Sequence, residues 1–258
     1  MKPTMQGIVD SQAAQLLITL VTYSFYASIL GLCLTPPSAL VIWAWKAIVR
    51  PMESISFAPV LLFGLCLGAA VYVFLISAVL VMGVSIRLLS LGIGPGRYPQ
   101  AHPTTLRWLI YSGIYTLAYR LVLPLIPVTW FSNLFFRIVG CRFGKHVYLN
   151  SYILNDAYLI EIGDNVIVGG GAEISCHLYE EDHLILDRIK IGSGSLIGAN
   201  AYISPGVVIG KNCTIGLGAH IRRGKHIPDG SCYTGIAGMP IRCAAMIEKS
   251  ASRSHTRS

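Results

Sequence analysis

Histidines and acidic side chains are concentrated in one short stretch, residues 174–183, which reads ISCHLYEEDH. Two histidines, His177 and His183, flank a run of three acidic residues. That run consists of Glu180, Glu181 and Asp182. Imidazole, with an ordinary pKa of about 6.5, is the side chain best suited to take up a proton near neutral pH, and a carboxylate can orient it by accepting its other N–H. The stretch therefore predicts general-base chemistry at a histidine that one of the acidic residues orients.

The cysteines give no sign of a metal centre or of a disulfide framework. There are seven, an odd number, and they are scattered along the chain without any C-x-x-C pair. Zinc sites and disulfide scaffolds have regular, paired spacings instead. We expect seven reduced thiols and no bound metal.

A six-residue period of aliphatic side chains runs through the C-terminal part. Isoleucine stands at every sixth position from 191 to 227, and positions 162, 168 and 174 keep the same period before an insertion. Most of the residues that stand four positions later are small. A parallel β-helix that turns a corner every six residues buries one aliphatic side chain per corner, and neither a helical period of 3.6 nor simple alternation gives this register. Residues 141–243 are therefore predicted to form a parallel β-helix.

Two stretches without charge dominate the N-terminal part. There is no Asp, Glu, Lys or Arg from Ser11 to Trp45 or from Ser54 to Ile86. A bilayer-spanning helix needs roughly 20 apolar residues, so each stretch is long enough. We expect spans near 12–34 and 58–86.

Three further segments complete the predicted organisation. Pro36 and Pro37 should break the first helix, so that 36–50 lies at the membrane interface, within a membrane region of residues 1–103. Residues 104–140, in which three arginines stand among aromatic residues, are expected to form an interfacial helical collar, with a third membrane crossing at 108–131 as the alternative. The polar segment 244–258 is predicted to be a flexible tail.

The basic excess lies in the more apolar half. The first 140 residues hold eight Lys and Arg against two acidic residues, whereas residues 141–258 hold twelve against ten. This distribution favours anionic lipid over nucleic acid as a partner. Arg87, Arg97 and Arg107 follow the second span and favour a cytoplasmic β-helix on the inner membrane, although Lys46 and Arg50 oppose that orientation. Reduced thiols and access to coenzyme A decide for the cytoplasm.

The repeat resembles that of the left-handed β-helix, hexapeptide-repeat acyltransferases. Residues 196–210, LIGANAYISPGVVIG, are similar to the family block W-I-G-x-x-A-x-I-x-P-G-V-x-I-G, and GIAGMPIR at 235–242 is similar to its closing segment. The resemblance implies a left-handed β-helix, an acyl-CoA or phosphopantetheine thioester as co-substrate, no covalently bound cofactor, and a homotrimer with its sites between neighbouring solenoids. In sugar O-acetyltransferases of this type the catalytic histidine follows a coil, which is the place of His177 and not of His183.

The resemblance also implies residues that contact the two substrates. The family has an asparagine upstream of its I-G-D coil, where this chain has Ser151 next to Asn150. Contacts to the pantetheine arm and phosphates of the donor are expected from glycines, a serine and a basic turn. These residues are Gly198, Ser204, Gly216, Gly218, Arg222, Arg223 and Lys225. A purely structural role for the glycines, and a solvated or lipid-facing role for the basic turn, remain the alternatives.

A more specific likeness is to the membrane-embedded C-terminal part of ε-poly-lysine synthetase and related peptide synthetases. The stretches LNDAYLIEIGD and CHLYEEDHLILDRIKIG carry it. In those synthetases such a module, thought to join an amine to a carrier-bound aminoacyl thioester, occurs three times in tandem, and this chain resembles one unit without an adenylation or carrier domain. We therefore expect a membrane-anchored acyltransferase with His177 as general base, acting on an amine or hydroxyl, with a carrier protein as a further partner.

Three alternatives stay open beside that expectation. Amide-bond formation in peptide assembly is the first, and a non-catalytic trimeric membrane scaffold is the second. The third is a γ-class carbonic anhydrase, whose zinc needs three converging histidines. This chain has Cys213 and Gly218 near the expected later ligand positions, which disfavours zinc.

Overall fold

The computed structural model describes residues 12–54, 56–234 and 241–242. The GIAGMP part of the predicted closing segment, residues 235–240, and the predicted tail at 244–258 lie outside the described residues. The helical elements all precede the β-helix, apart from one short turn. They are α1 (Gln12–Ala44), a π-helical turn (Trp45–Val49), α2 (Phe57–Ser90), α3 (Pro103–Leu121), a 3-10 turn (Leu123–Leu125), α4 (Trp130–Val139) and a 3-10 turn (Ala157–Leu159).

Short strands make up the remainder. They are β1 (Gly96–Pro99), β2 (Arg142–Phe143), β3 (Tyr148–Leu149), β4 (Ile153–Asn155), β5 (Ile160–Ile162), β6 (Ile167–Val168), β7 (Glu173–Ser175), β8 (His177–Glu180), β9 (His183–Leu186), β10 (Ile189–Ile191), β11 (Leu196–Ile197), β12 (Tyr202–Ile203), β13 (Val208–Ile209), β14 (Thr214–Ile215), β15 (His220–Ile221), β16 (His226–Ile227), β17 (Ser231–Tyr233) and β18 (Ile241–Arg242).

Two helical segments are long and apolar enough to cross a membrane: Gln15–Val49, which is α1 with the π-helical turn, and Phe57–Ser90, which is α2. They pack against each other, and much of their surface is exposed apolar side chain. Helix α2 covers residues 58–86, and the membrane spans at 12–34 and 58–86 stay predictions.

The predicted break at Pro36 and Pro37 is wrong, because α1 continues through both residues to Ala44. A proline within a helix lacks the N–H that would reach the carbonyl four residues earlier, which for Pro37 is that of Cys33. The hydroxyl of Ser77 on α2 donates to this carbonyl at 2.7 Å. Packing between the helices thus satisfies the freed acceptor, and the helix does not need to end. The placement of 36–50 at an interface stays a prediction.

The C-terminal part is the predicted parallel β-helix. Among the described residues its strands form three sheets, in the orders β16-β13-β10-β5-β2, β18-β17-β14-β11-β6-β3 and β15-β12-β7-β4, with β18 alone running antiparallel. In each sheet the residues of the six-residue period are in register. Ile174, Ile203 and Ile221, for example, stack as direct neighbours and are fully buried. Each coil therefore buries its aliphatic corners on the coils beside it.

Helices α3 and α4 lie between α2 and the β-helix. Large side chains of both are fully buried, among them Tyr111 and Ile114 on α3 and Phe135 and Phe136 on α4. The core is continuous from α2 through these helices into the coils. The region 104–140, predicted as a collar, is thus the packed connection between the apolar helices and the solenoid.

The prediction of seven reduced thiols needs one correction. Cys33, Cys66, Cys141, Cys176 and Cys213 are free, but Cys232 is disulfide-bonded. Cys232 lies in β17, which pairs with β18 at the last described turn of the β-helix.

Close stacking of the coils leads to a stability prediction. A Cβ on Gly169 would lie 2.5 Å from the backbone nitrogen of Ala199 in the next coil, and backbone atoms cannot move aside without separating the coils. We expect Gly169→Ala to lower the free energy of unfolding by about 1–3 kcal/mol, measured by thermal or denaturant unfolding. Gly94→Ala, where a Cβ would meet open space, is the control and should change little.

Candidate active site

A hairpin inserted into the β-helix carries His177. After β7 the chain leaves the solenoid, forms the antiparallel pair β8 and β9, and returns at β10. Strand β1, which follows α2, adds to the outer edge of this hairpin by pairing antiparallel with β9. His177, the first residue of β8, therefore lies where the β-helix meets the N-terminal region.

The Nδ1 atom of His177 lies 2.6 Å from Oδ2 of Asp156. Asp156 is 1% exposed, whereas the side chain of His177 is 27% exposed. The backbone of Asp156 has a φ of 58°, a left-handed conformation that aspartate tolerates better than most residues, and it directly precedes the 3-10 turn at Ala157–Leu159. The carboxylate of Asp156 therefore lies in the interior and contacts Nδ1 of His177. The other ring nitrogen, Nε2, lies on the opposite side of the imidazole.

The second oxygen of Asp156 is bound by a tryptophan of α3. The indole Nε1 of Trp108 donates to Oδ1 at 2.7 Å. The same indole packs edge-on against the imidazole of His177, with ring centroids 4.8 Å apart, and lies 6.0 Å from the ring of Tyr179. Both carboxylate oxygens are thus paired, as a buried charge requires.

The carboxylate controls the charge of the histidine. Burial lowers the pKa of His177, but the hydrogen bond to Asp156 and the negative charges of Asp156 and Glu173 raise it by more, so that the net shift is upward from 6.5. Imidazole in this setting is a stronger base than in water. A carboxylate that holds one ring nitrogen and a side chain that is 27% exposed are compatible with a general base.

Buried phenols surround the pair. Burial, together with the charge of Asp156, raises the pKa of Tyr111 and of Tyr158, so both are neutral in the physiological range. Among the described residues neither hydroxyl has a hydrogen-bond partner. The phenols beside Asp156 are therefore uncharged, and Glu173 is the other acidic side chain that acts on His177.

The three acidic residues expected to orient the histidine lie elsewhere. Glu180 pairs with Arg223 at 3.1 Å and Glu181 with Arg97 at 2.7 Å, both at exposed positions. Asp182 is at the hairpin turn, where its carbonyl accepts from the backbone of Gln100. The carboxylate in contact with His177 is instead that of Asp156. The reason is that β8 is extended and rises about 3.3 Å per residue, so Glu180 and the two residues after it lie roughly 10 Å or more from His177 along the chain.

The alternative base and the expected asparagine position have other partners. Nδ1 of His183 lies 2.6 Å from the carbonyl oxygen of Glu181, within the turn. Ser151 is buried, donates to the carbonyl of Ala172 at 2.5 Å and accepts from the backbone of Ile153. Asn150 is bonded through its backbone to Val168 of the next coil. Neither Ser151 nor Asn150 contacts the imidazole in these bonds.

The residues expected to bind the donor form two groups. Gly198 and Gly216 allow adjacent coils to approach, because a Cβ on Gly198 would lie 2.6 Å from the carbonyl carbon of Gly216. Gly218 has a φ of +63°, and the hydroxyl of Ser204 lies 3.4 Å from Nε2 of His220. In the basic turn, Arg222 and Lys225 are exposed, and Arg223 joins the turn to the hairpin through Glu180.

Asp156 could have been found from the sequence only by aligning the coil of β4 with the coil of β7. Strand β4 pairs with β7 so that Asn155 lies opposite Ser175, which places Asp156 one coil away from Cys176 and next to His177. The residue lies inside the stretch LNDAYLIEIGD, but a distance of 21 positions from the histidine conceals the contact until the coils are stacked. Over the described part of the chain, no group of three or more His, Cys, Asp and Glu residues is arranged to hold a metal ion.

The His177–Asp156 pair predicts a pH-dependent stability. A pKa raised on folding means that the pair contributes its full stabilisation below pH 6.5 and loses it as the pH rises through the folded-state pKa. We expect His177→Gln to be more destabilising at about pH 6 than at about pH 9 in thermal unfolding. His226→Gln, at an exposed position, is the control. An equal loss at both pH values for His177→Gln would contradict the raised pKa.

Residues 188–223 match the family model described as bacterial transferase hexapeptide, six repeats. A curated relative, delta-poly-L-ornithine synthetase of Acinetobacter baumannii, is 27% identical over 180 residues, which cover 69% of this chain and 13% of the relative. The chain thus spans about an eighth of that protein's length. Together these matches confirm the resemblance to hexapeptide-repeat transferases and to peptide synthetases that the sequence indicates.

Two solved structures are similar at a lower level. A maltose O-acetyltransferase from Clostridium difficile 630 has a TM-score of 0.43 and 17% identity, covering 63% of this chain and 95% of its own. A hexapeptide-repeat containing acetyltransferase from Vibrio cholerae has a TM-score of 0.36 and 23% identity, covering 40% of this chain and 62% of its own. At these values neither match bears on the arrangement of the site.

Proposed function

We propose that this chain, in which a hexapeptide-repeat β-helix holds a carboxylate-bound histidine beside two long apolar helices, is a membrane-anchored acyltransferase. The observation that carries the proposal is the 2.6 Å contact between Nδ1 of His177 and the buried carboxylate of Asp156. The acyl donor is a thioester of coenzyme A or of a carrier's phosphopantetheine, and the acceptor is an amine or a hydroxyl.

His177 acts as the general base. Its Nε2 takes the proton of the acceptor as the acceptor nitrogen or oxygen attacks the thioester carbonyl. The new C–N or C–O bond forms, the C–S bond breaks, and the proton passes from the imidazolium to the departing thiolate. Asp156 fixes the ring through Nδ1 and stabilises the imidazolium between these two transfers. The donor's phosphates are bound by the basic turn of Arg222, Arg223 and Lys225.

The relative favours an amine acceptor. Its name describes the synthesis of a poly-ornithine, a polymer whose units are joined by amide bonds. Amide formation from a carrier-bound aminoacyl thioester is therefore the second candidate, and it uses the same base and the same leaving group. The two candidates differ in the donor and acceptor, not in the role of His177.

Helices α1 and α2 anchor the enzyme in the bilayer. Apolar side chains such as Leu17, Leu65 and Val71 are more than half exposed along their length, and water would contact them without a membrane. We place the β-helix on the cytoplasmic side, because Arg87, Arg97 and Arg107 follow the second span and coenzyme A is available there. The disulfide of Cys232 means that reduced thiols no longer support this orientation.

Substitution of the base tests the proposal. With acetyl-CoA or a phosphopantetheinylated carrier loaded with ornithine as donor, and free ornithine or lysine as acceptor, released thiol is measured continuously. We expect His177→Ala to lower the rate at least about 10²-fold, and Asp156→Asn to lower it as well, because the imidazole loses its base function or its orientation. His183→Ala, in the same hairpin, is the control.

Each outcome distinguishes one reading. Thiol release with the loaded carrier but not with acetyl-CoA favours amide formation. Thiol release with acetyl-CoA favours acylation of a small molecule. A full rate in His177→Ala would refute the general base. Absence of release with every donor in the parent protein, combined with an unchanged cellular phenotype for His177→Ala, would favour the scaffold.

We also propose that three copies assemble, as hexapeptide-repeat transferases do, with six membrane-spanning helices per trimer. Native mass spectrometry in mild detergent should give three times the chain mass of 28.0 kDa. A stable and active monomer would contradict this assembly.

A further inference from the structure

The catalytic pair is held from outside the β-helix. Asp156 and His177 both belong to the solenoid or its inserted hairpin, yet the oxygen of Asp156 that His177 does not use is bound by Trp108 of α3. Trp108 is 4% exposed and also contacts the imidazole itself. One side chain from the N-terminal region thus contacts both members of the pair.

Building on the proposed function, we propose that Trp108 is a positioning residue: its indole N–H sets the orientation of the Asp156 carboxylate, and through it the orientation of His177. Helix α3 then completes a site that the hexapeptide repeats cannot form by themselves. The acyl-transfer centre is consequently coupled to the helices that precede the solenoid.

Helix α3 is bonded to the strand that leads to Asp156 and to the strand that pairs with the hairpin of His177. The hydroxyl of Tyr115 accepts from the backbone of Leu154 at 3.1 Å, on the strand that leads directly to Asp156. The hydroxyl of Thr105 donates to the carbonyl of Pro99 at 2.8 Å, on the strand that pairs with the hairpin of His177. Trp108 lies between these two anchors on the same helix. The helix therefore contacts both the coil that carries the acid and the sheet that carries the base, which are also bonded to each other through the backbone of Cys176 and Asn155.

Removing the indole N–H of Trp108 tests its effect on His177, because the other groups around Asp156 do not change their charge. Asp156 and Glu173 are the charges acting on His177. Around Asp156 lie three phenols and a thiol, and burial raises the pKa of each, so they stay neutral. These groups are Tyr111, Tyr115, Tyr158 and Cys176. When the indole N–H is lost, the imidazolium of His177 is the remaining strong hydrogen-bond donor to the carboxylate of Asp156. The carboxylate then stabilises the protonated imidazole more strongly, so the pKa of His177 rises.

Chemical modification measures this effect without any substrate. Diethyl pyrocarbonate reacts with neutral imidazole, and the side chain of His177 is 27% exposed, so the extent of carbethoxylation at His177 against pH, quantified by peptide mass spectrometry, gives its titration midpoint. We expect Trp108→Phe to move the midpoint upward by about one pH unit, because packing is kept and the donor is lost. Asp156→Asn should move it downward.

Trp130→Phe is the matched control, since this indole is 71% exposed on α4 and should leave the midpoint unchanged. A midpoint in Trp108→Phe equal to that of Trp130→Phe would overturn the proposal. Thermal unfolding checks that each variant is folded. If Trp108→Phe does not fold, replacement of Trp108 by benzothienylalanine, which has the shape of tryptophan but no N–H, gives the same test.

The two proposals fail separately. Loss of the general base is tested by thiol release in His177→Ala, which does not depend on Trp108. A normal midpoint in Trp108→Phe with an inactive His177→Ala would remove the role of the indole and leave the acyltransferase. A shifted midpoint with a fully active His177→Ala would keep the positioning of the imidazole and refute its catalytic use.

Discussion

A single buried carboxylate organises this protein. Asp156 is removed from water, and each of its oxygens needs a partner to offset the cost of desolvation. One oxygen accepts from an indole on a helix and the other binds an imidazole on a hairpin. The pair of bonds joins three segments that are distant in sequence, so the geometry of the site depends on the packing of the helical region as much as on the solenoid.

The β-helix provides the rigid part of this arrangement. Its coils stack in strict register, and glycines such as Gly169 and Gly198 leave no space for a side chain between neighbouring backbones. The coil that carries Asp156 and the coil that precedes the hairpin are hydrogen-bonded along β4 and β7. A scaffold that resists displacement over short distances suits the proposed reaction, in which the base, the acceptor and the thioester carbonyl must be held close together.

The helical region contributes polar contacts where local rules predict disruption. The hydroxyl of Ser77 replaces the hydrogen bond that Pro37 removes from the carbonyl of Cys33, and α1 remains one helix. Trp108 acts comparably at the site, supplying a donor from one element to an acceptor of another. In both cases the donor is remote in sequence. The local sequence indicates an acceptor that needs a hydrogen-bond donor, but it does not indicate which residue donates.

The sequence by itself determined those features that follow from regular patterns along the chain. The six-residue period of isoleucines specifies a parallel β-helix, the lengths without charge specify two long apolar helices, and the interruption of the period locates the hairpin with His177, because each pattern follows from local geometry. The tertiary structure alone decided the partners of that histidine. Glu180 and Glu181 are near it in sequence, yet strand geometry directs them to Arg223 and Arg97, whereas stacking of coils brings Asp156 to the imidazole and packing of α3 brings Trp108 to both. Contacts between elements depend on register and packing, which no local spacing encodes.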